Sequence, residues 1–467
     1  MNKTKKYIIV DFDGTFTKID STIEAFFNSF FKTPIDTIKS LLKGKVFLKN
    51  KLFQLGHYPN SKFIPFDKKI IEEIIHYKDK GYTAILLSGT NEEFLKKVKF
   101  PNNLFEKVIG TRDKENLIGI KKIELLDRMG IQNFIYLGNS IDDILFSKHA
   151  KKTIIFNMSL FKKILNGNKG VEFKNTKKSY IKILFSHLRI KHWVKNLLIF
   201  FPLLIDSGIR SYERFLEFFT LFLFISLSAS AVYMFNDYLD LESDRKHKKK
   251  SNRPLASGDI SIVQNFLLCL LIILIVLPVS MLINSKIFVI ICIYFLLNIY
   301  YSIYGKRIPI LDLILLSNFY CLRIFSGVYI FNLEFTFWLP LFSFFFFINL
   351  AIIKRLSDFF NKDKKIALDG RNYNLGDESI LLPLGIVSGI SSIIILGLYI
   401  NTDSVLLYFS HPNYLYFLLI LVYFWISRMW LYLIRGKINY DPVTFAIQDK
   451  TSLLIGIISV IIILISQ

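Results

Sequence analysis

Three aspartates stand in Asn236-Asp237-Tyr-Leu-Asp240-Leu-Glu-Ser-Asp244-Arg245. The spacing i, i+3, i+7 places all three carboxylates on one stripe of a helix. The outer two then lie about 10 Å apart at the α-helical rise. Three like charges on one stripe repel, so a plain structural helix gains nothing from them. A divalent cation between them reverses the sign of that interaction. Magnesium takes a few carboxylates and completes its shell with water and phosphate oxygens. Bases follow at once, in Arg245-Lys-His-Lys-Lys-Lys250 and Arg253-Pro-Leu-Ala-Ser-Gly258. Carboxylates for a metal and bases for phosphate in one short segment point to a magnesium–diphosphate site. A solvated acidic cap on a loop is the plainer alternative. The segment closes an apolar run from Phe215 to Phe235, long enough to cross a bilayer.

A second set of polar clusters lies near the N-terminus. The short apolar strand Tyr7-Ile-Ile-Val10 ends in Asp11-Phe-Asp13-Gly-Thr15-Phe-Thr17. Thr83 to Leu87 ends in Ser88-Gly-Thr90, and Asn133 to Leu137 ends in Gly138-Asn139-Ser-Ile-Asp142-Asp143. A fourth strand is Thr153 to Phe156. Helical patterns separate these strands, which predicts a parallel α/β sheet with crossover helices. All three clusters fall at carboxyl ends of strands, where open α/β sheets bind ligands.

The totals bound what surrounds these sites. A chain of 467 residues with 46 Phe and a mean hydropathy of +0.41 is too apolar to be wholly soluble. The net charge is +22, and the bases fall in short loops between apolar runs. That pattern fits contact with anionic membrane lipids and phosphorylated substrates, not nucleic acid. Cys269, Cys292 and Cys321 all lie in apolar runs, with spacing that suits neither zinc nor disulfides. Met1 to Val10 is too short in its apolar part for a signal peptide.

The expected domains are a soluble head over 1–156, a basic linker or interfacial segment over 157–188, and an all-α membrane body over 189–467. The linker scatters Lys162, Lys163, Lys169, Lys174, Lys177, Lys178 and Lys182 among polar and aromatic residues. The body holds about nine apolar runs, roughly 190–207, 215–236, 262–283, 286–302, 309–331, 336–353, 380–401, 413–434 and 451–466. The first is short and carries Lys195-Asn196, so eight spans is the other count. Loops after the second, fourth, sixth and eighth runs hold most of the bases, which predicts a multi-pass protein of the cytoplasmic membrane with a cytosolic head. Asp312 and Arg323 lie inside the fifth run, where ionisable groups need partners or a function. Eleven residues apart on one helix, they are about 16 Å distant, so other partners are expected.

The pattern N-D-x-x-D-x-x-x-D-R followed by R-P-L-x-S-G resembles the first signature of the UbiA superfamily of intramembrane prenyltransferases. A second aspartate motif, D-x-x-x-D, is usual in that superfamily and is absent from Lys354 to Asp377. The chain better resembles the branch containing decaprenyl-phosphate phosphoribosyltransferase. The likeness rests on His192-Trp193-Val-Lys195-Asn196, on Tyr301-Ser with Lys306-Arg307-Ile-Pro309, on Lys354-Arg355, on Gly370-Arg371-x-Tyr373, and on Asp441-Pro442-x-x-Phe445-Ala446. The resemblance implies magnesium on Asp237, Asp240 and Asp244, phosphoribosyl pyrophosphate as donor and a polyprenyl phosphate as acceptor. Tyr301, Lys306 and Arg307 are candidates for the lipid phosphate and Arg253 for the donor's 5-phosphate. Asn236, Lys354, Arg355 and Arg371 complete the expected substrate contacts. Prenyl transfer from a polyprenyl diphosphate is the alternative reaction.

The N-terminal D-x-D-G-T, Ser-Gly-Thr and G-x-S-x-x-D order resembles the haloacid dehalogenase (HAD) phosphatases. By that resemblance Asp11 is the nucleophile, Asp13 the general acid and base, and Ser88 a phosphate ligand. Lys122, or its neighbour Lys121, neutralises the phosphate. Asp11, Asp13, Asn139 and Asp143 form the metal site, and residues from Asp20 to about Lys68 form a helical cap. Asn139 stands where the family usually has an aspartate, which removes a charge from the metal site. A HAD fold retained as a non-catalytic module is the alternative.

Overall fold

The computed structural model describes residues 5–112, 116–157, 171–175, 179–205, 211–332, 337–360, 372–374, 376–438 and 441–467. Arg371 and the lysines at 162, 163, 169, 177 and 178 lie outside these residues. The chain forms two compact units. One comprises Met1–His187 with Asp237–Leu267, the other Leu188–Asn236 with Leu268–Gln467. The segment that carries the three aspartates therefore belongs with the head.

The first unit is built on six strands: β1 (Lys6–Val10), β2 (Tyr82–Asn91), β3 (Lys107–Thr111), β4 (Phe134–Gly138), β5 (Lys152–Phe156) and β6 (Val171–Lys174). All neighbours pair in parallel, in the order β3-β2-β1-β4-β5-β6. Alternate residues of β1 enter opposite layers. Ile8 and Val10 pack with Phe12, Phe16 and Leu86, whereas Ile9 packs with Ile85, Leu87 and Tyr136. Burial on both faces explains the unbroken apolar runs. The strand order reverses between β1 and β4, which opens a crevice at their carboxyl ends.

β3 and β6 are edge strands that the sequence pattern does not announce. Their lysines dilute the apolar signal and protect the edges from further pairing. β6 lies within the stretch read as a linker. Lys174 donates to Glu73 at 2.8 Å and Lys152 pairs with Glu172 at 2.5 Å.

The cap comprises three helices: α1 (Ser21–Lys32), α2 (Pro34–Leu42) and α3 (Lys45–Gln54). Asp20 caps α1 by accepting from Ile23 N at 2.9 Å. The cap packs on the aspartate segment. Glu24 of α1 takes both terminal nitrogens of Arg245, at 2.6 and 2.8 Å, and Lys18 pairs with Asp259 at 2.9 Å. A Cβ at Gly258 would lie 2.8 Å from Lys18 Cβ, so this glycine permits the close approach.

The second unit is helical. Among the described residues seven helices are long and apolar enough to cross a membrane: Tyr212–Leu239, Ile262–Ile283, Ser285–Arg307, Leu311–Ile330, Trp338–Phe360, Glu378–Ile400 and Pro412–Ile434. An eighth candidate is the pair Pro442–Gln448 and Lys450–Ser466, bent by 88°. Among the described residues the count is thus seven or eight, the latter being the alternative count from the sequence. The run 190–207 is not among these spans. It folds as a 3-10 stretch, Ile190–Phe200, and a short helix, Phe201–Ile205, with Lys195 and Asn196 buried. Its apolar composition reflects packing inside the bundle.

Small residues let these helices approach closely, as membrane packing favours. A Cβ at Gly385 would lie 2.5 Å from the Trp430 ring and 2.7 Å from Ile352. Gly385→Ala is expected to destabilise the protein by about 1–3 kcal/mol through overpacking. A lowered thermal midpoint in detergent, relieved by Trp430→Leu, would show that cause.

Candidate functional site

At the carboxyl ends of β1 and β4, one hydrogen-bonded chain runs through the head. Lys122 Nζ donates to Asp11 Oδ1 at 2.7 Å and to the Tyr136 hydroxyl at 3.1 Å; that hydroxyl donates to Asp143 Oδ1 at 2.7 Å. Asp143 Oδ2 accepts from the Asn139 and Ser140 amides and the Ser140 hydroxyl, at 2.7–3.0 Å. Asp143 thereby organises the β4 loop. Of the two candidate lysines, Lys122 is buried and Lys121 exposed.

Asp13 accepts from Ser21 N at 2.9 Å and from the Thr90 hydroxyl, and Thr90 in turn contacts Ser88 Oγ at 3.2 Å. Burial pushes the Asp11 carboxyl up to about 6 against the pull of Lys122. Burial, with Asp20 adding to it, pushes Asp13 up to about 8. Burial thus favours the protonated, proton-donating form of Asp13. Gly14 adopts φ +71, and a Cβ there would lie 2.1 Å from Asn139 Nδ2. The D-x-D-G-T glycine is thus required twice, by its backbone and by the amide above it.

Three head residues escaped the sequence reading. Tyr136 is hidden inside an apolar strand, and Thr90 acts through Asp13. Lys49 of α3 is buried and donates to Gly89 O and, at 2.8 Å, to Asn116 Oδ1. No periodicity in α3 marks Lys49 as inward-facing.

The aspartate segment departs from one continuous helix. The long helix ends at Leu239, and a short one, Leu241–Lys246, begins after Asp240, whose φ −96 and ψ 7 break the stripe. Asp237 and Asp244 are both buried and converge on Arg253 Nη1, at 3.2 and 2.5 Å. Arg253 is thus a counter-ion to the aspartates in this state. Burial raises Asp244 against the pull of Arg253. Among the described residues, no three carboxylate, imidazole or thiol side chains form a ready metal shell.

The helical unit holds a polar cavity of about 140 Å³. Its walls carry Lys195, Arg323 and Lys354, one carboxylate, Asp441, and the tyrosines 233, 294, 301 and 320. Lys195 Nζ lies 2.5 Å and Lys354 Nζ 3.6 Å from the same Asp441 oxygen. The other Asp441 oxygen caps the helix Pro442–Gln448 through Val443 N and Thr444 N, at 3.1 and 3.3 Å. Arg323 Nε donates to Asn196 Oδ1 at 2.7 Å, and its guanidinium faces Tyr294 and Tyr320, each at 5.7 Å. Three cations against one anion, walled by aromatic rings, suit an anionic ligand with an apolar or sugar-like body.

Of the predicted substrate residues, Asn236, Tyr301 and Lys354 line this cavity. Lys306 and Arg307, in the turn Gly305–Arg307, are not among its lining residues. Arg355 is committed elsewhere: fully buried, it pairs with Asp312 and, at 2.9 Å, with Asp358. Tyr373 also donates to Asp312, at 2.5 Å. This cluster gives the buried guanidinium two carboxylate partners inside the bundle. Lys195 and Asp441 form the cavity's central pair. They stand 246 positions apart, so no local pattern links them.

The UbiA prenyltransferase family matches residues 201–439. The uncharacterized protein y4nM of Sinorhizobium fredii is 30% identical over 458 residues, 96% of this chain and 89% of that protein. Decaprenyl-phosphate phosphoribosyltransferase of Corynebacterium glutamicum is 29% identical over 175 residues, 37% of this chain and 53% of that protein. A solved UbiA homolog from Archaeoglobus fulgidus bound to GPP and Mg2+ aligns at TM-score 0.46 and 20% identity, over 60% of this chain and 96% of that one. A solved phosphoserine phosphatase in apo form aligns at TM-score 0.28 and 21% identity, over 39% of this chain and 98% of that one.

The Lys195–Asp441 pair makes its own prediction. Removing one partner of a buried pair costs about 3–5 kcal/mol. Asp441→Leu should therefore lower the unfolding midpoint markedly. Adding Lys195→Met should recover part of the loss, because Lys354 still lacks its carboxylate and the helix lacks its cap, the latter worth about 1 kcal/mol. Thermal unfolding of Asp441→Leu, Lys195→Met and the double variant measures the coupling directly.

Proposed function

The chain belongs to the UbiA prenyltransferase family, and from that premise we propose that it moves phosphoribosyl from phosphoribosyl pyrophosphate to a polyprenyl phosphate. The observation that carries this reading is the cavity with Lys195, Arg323 and Lys354 around the lone Asp441. The matching decaprenyl-phosphate phosphoribosyltransferase supports the donor and acceptor classes. The absence of a second D-x-x-x-D motif from Lys354 to Asp377 counts against a prenyl diphosphate gripped between two aspartate clusters.

In the proposed reaction a lipid phosphate oxygen bonds to ribose C1 as the C1–pyrophosphate bond breaks, and pyrophosphate leaves with the electron pair. The attacking phosphate is already anionic at neutral pH, so no strong base is needed. Lys354 and Arg323 would orient it by charge, and the tyrosines would exclude water around the oxocarbenium-like centre. Magnesium fits the donor set of Asp237, Asp240 and Asp244, which offers hard oxygens only. Asn236 Oδ1 is buried with no hydrogen-bond partner among the described residues, a further oxygen without an occupant. Bound there, the metal would supply Lewis-acid neutralisation of the leaving pyrophosphate.

The head would then hydrolyse the 5-phosphate of the lipid product. Asp11 would attack phosphorus, with Lys122 holding its oxygen and Asp13 protonating the departing ribose oxygen. A shared chain keeps the two steps on one membrane protein, and the relative from Sinorhizobium fredii aligns over 96% of this chain, across both parts. The loop charges support the cytosolic face of the inner membrane as the location.

Membranes holding the protein should transfer ribose label from phosphoribosyl pyrophosphate into extractable lipid, given magnesium and polyprenyl phosphate. Asp240→Ala should abolish this, and Lys354→Met should raise the KM for the lipid by at least about tenfold, the loss of one charge-assisted contact. Label that stays aqueous with folded protein and several chain lengths defeats the reading, and transfer from polyprenyl diphosphate would then identify a prenyltransferase. Asp11→Asn should leave transfer intact and retain the 5-phosphate on the lipid.

Hydrolysis of an alkyl phosphate by the head should also decline as pH rises through about 8, where Asp13 loses the proton it donates. p-Nitrophenyl phosphate, whose leaving group needs no proton, should lack that alkaline limb.

A further inference from the structure

Helix α2 of the cap is inverted relative to an ordinary surface helix. Its small polar residues, Thr37 and Ser40, face inward. Thr37 Oγ1 lies 2.6 Å from Ser29 Oγ of α1, and Ser40 Oγ donates to Asp36 O at 2.6 Å. Its large apolar residues face outward: Ile35 is 67% exposed, Ile38 48%, Leu41 48% and Leu42 82%. Phe30, Phe31 and Phe47, also exposed, continue the same surface onto α1 and α3. Scattered apolar residues are normal on a soluble surface; a continuous stripe of this kind marks an interaction site.

Charge and continuity indicate what covers it. Lys32, Lys39, Lys43 and Lys45 rim the stripe, all exposed, against the single acid Asp36. One end of the stripe is continuous with residues 237–267 of the same compact unit. Phe31 stacks on Phe266 at 5.6 Å and packs at a tilt on Tyr238 at 5.2 Å, and Phe27 stacks on Phe266 at 5.0 Å. Tyr238 lies in the last turn of the span Tyr212–Leu239. Phe266 lies near the start of Ile262–Ile283, the most apolar and least buried of the seven spans among the described residues. Exposed Val263 and Leu267 extend the cap's apolar surface onto that span. An apolar face rimmed by cations at the end of a lipid-facing helix matches the boundary between acyl chains and anionic headgroups.

We propose that the cap is a membrane-interface element: Phe30, Phe31, Ile35, Ile38, Leu41, Leu42 and Phe47 dip into the acyl boundary of the bilayer while the four lysines contact anionic headgroups. The phosphatase-like head is then held to the lipid surface through its cap as well as through the chain. This inference is independent of which reaction the helical unit performs.

The test uses the full chain in vesicles of phosphatidylcholine and phosphatidylglycerol. Nitroxide labels go at Ile38→Cys and Leu42→Cys, with Glu72→Cys on the exposed side of the helix Lys68–Asp79 as reference, after replacement of Cys269, Cys292 and Cys321 by Ala. Collision of the label with oxygen, which partitions into lipid, should exceed collision with a water-soluble nickel chelate at 38 and 42, and the order should reverse at 72. Labels at 38 and 42 that behave like 72 overturn the proposal. So does spin–spin broadening at 42 that disappears on dilution with unlabelled protein, which would place a second copy on the stripe. The unmodified chain gives a second reading. A lipid-soluble photoactivated carbene reagent should modify peptides covering 30–47 and spare those covering 68–79; equal sparing of both overturns the proposal whether or not the cysteine variants fold.

Discussion

Arg245 follows the acidic motif directly, and its guanidinium is taken by a glutamate 221 positions earlier. Both side chains are buried, at 7% and 6% exposed. A bidentate carboxylate fork inside a protein is geometrically demanding, so it fixes register as well as position. Through it the stretch Asp237–Leu267 becomes part of the head's compact unit. The aromatic stack of Phe27, Phe31, Tyr238 and Phe266 then closes around the same joint, and Gly258 gives Lys18 the room to reach Asp259. The motif at the end of the candidate span Tyr212–Leu239 is thus also the surface on which the cap packs. Any change at Glu24 bears on the aspartates without touching them.

The helical unit obeys a different constraint. In an apolar bundle each ionised side chain must meet an opposite charge or an anionic guest. Arg355 pairs with Asp312 and Asp358, so one cation meets two carboxylates, and Tyr373 donates to Asp312. At Asp441 the surplus has the other sign, because the ammonium groups of Lys195 and Lys354 share one carboxylate oxygen. Arg323 adds a third cation to the same walls. The two sets differ in the sign of their surplus charge, although both read alike as ionisable residues in apolar runs.

Much of the head was legible because polar residues that interrupt buried strands are conspicuous. Asp11, Asp13, Ser88, Asn139 and Asp143 each follow an apolar run, and the parallel sheet brings those ends together. Lys122 was legible only as one of two neighbours; helix phase decided between them. Tyr136 and Lys49 were not legible, since a hydroxyl inside a strand and a lysine in a short cap helix show no pattern. The break at Asp240 carries no glycine or proline to announce it. Composition also misled over 190–207, where an apolar stretch packs among other helices instead of spanning. Arg355 entered the expected substrate contacts through the likeness at Lys354-Arg355; its pairing with Asp312, 43 residues away, lies beyond any local periodicity.

The aspartate segment itself poses a charge problem that its structure half resolves. Asp237, Asp240 and Asp244 together carry three negative charges, and Arg253 supplies one positive charge to two of them. A guanidinium is a planar, permanently charged donor on a flexible stem, so it can serve as counter-ion to two buried carboxylates at once. On the proposed reading, Asp237, Asp240 and Asp244 would hold the metal and Arg253 would be released toward the donor's remaining phosphate, so that the acidic and basic halves of the motif would form a single device.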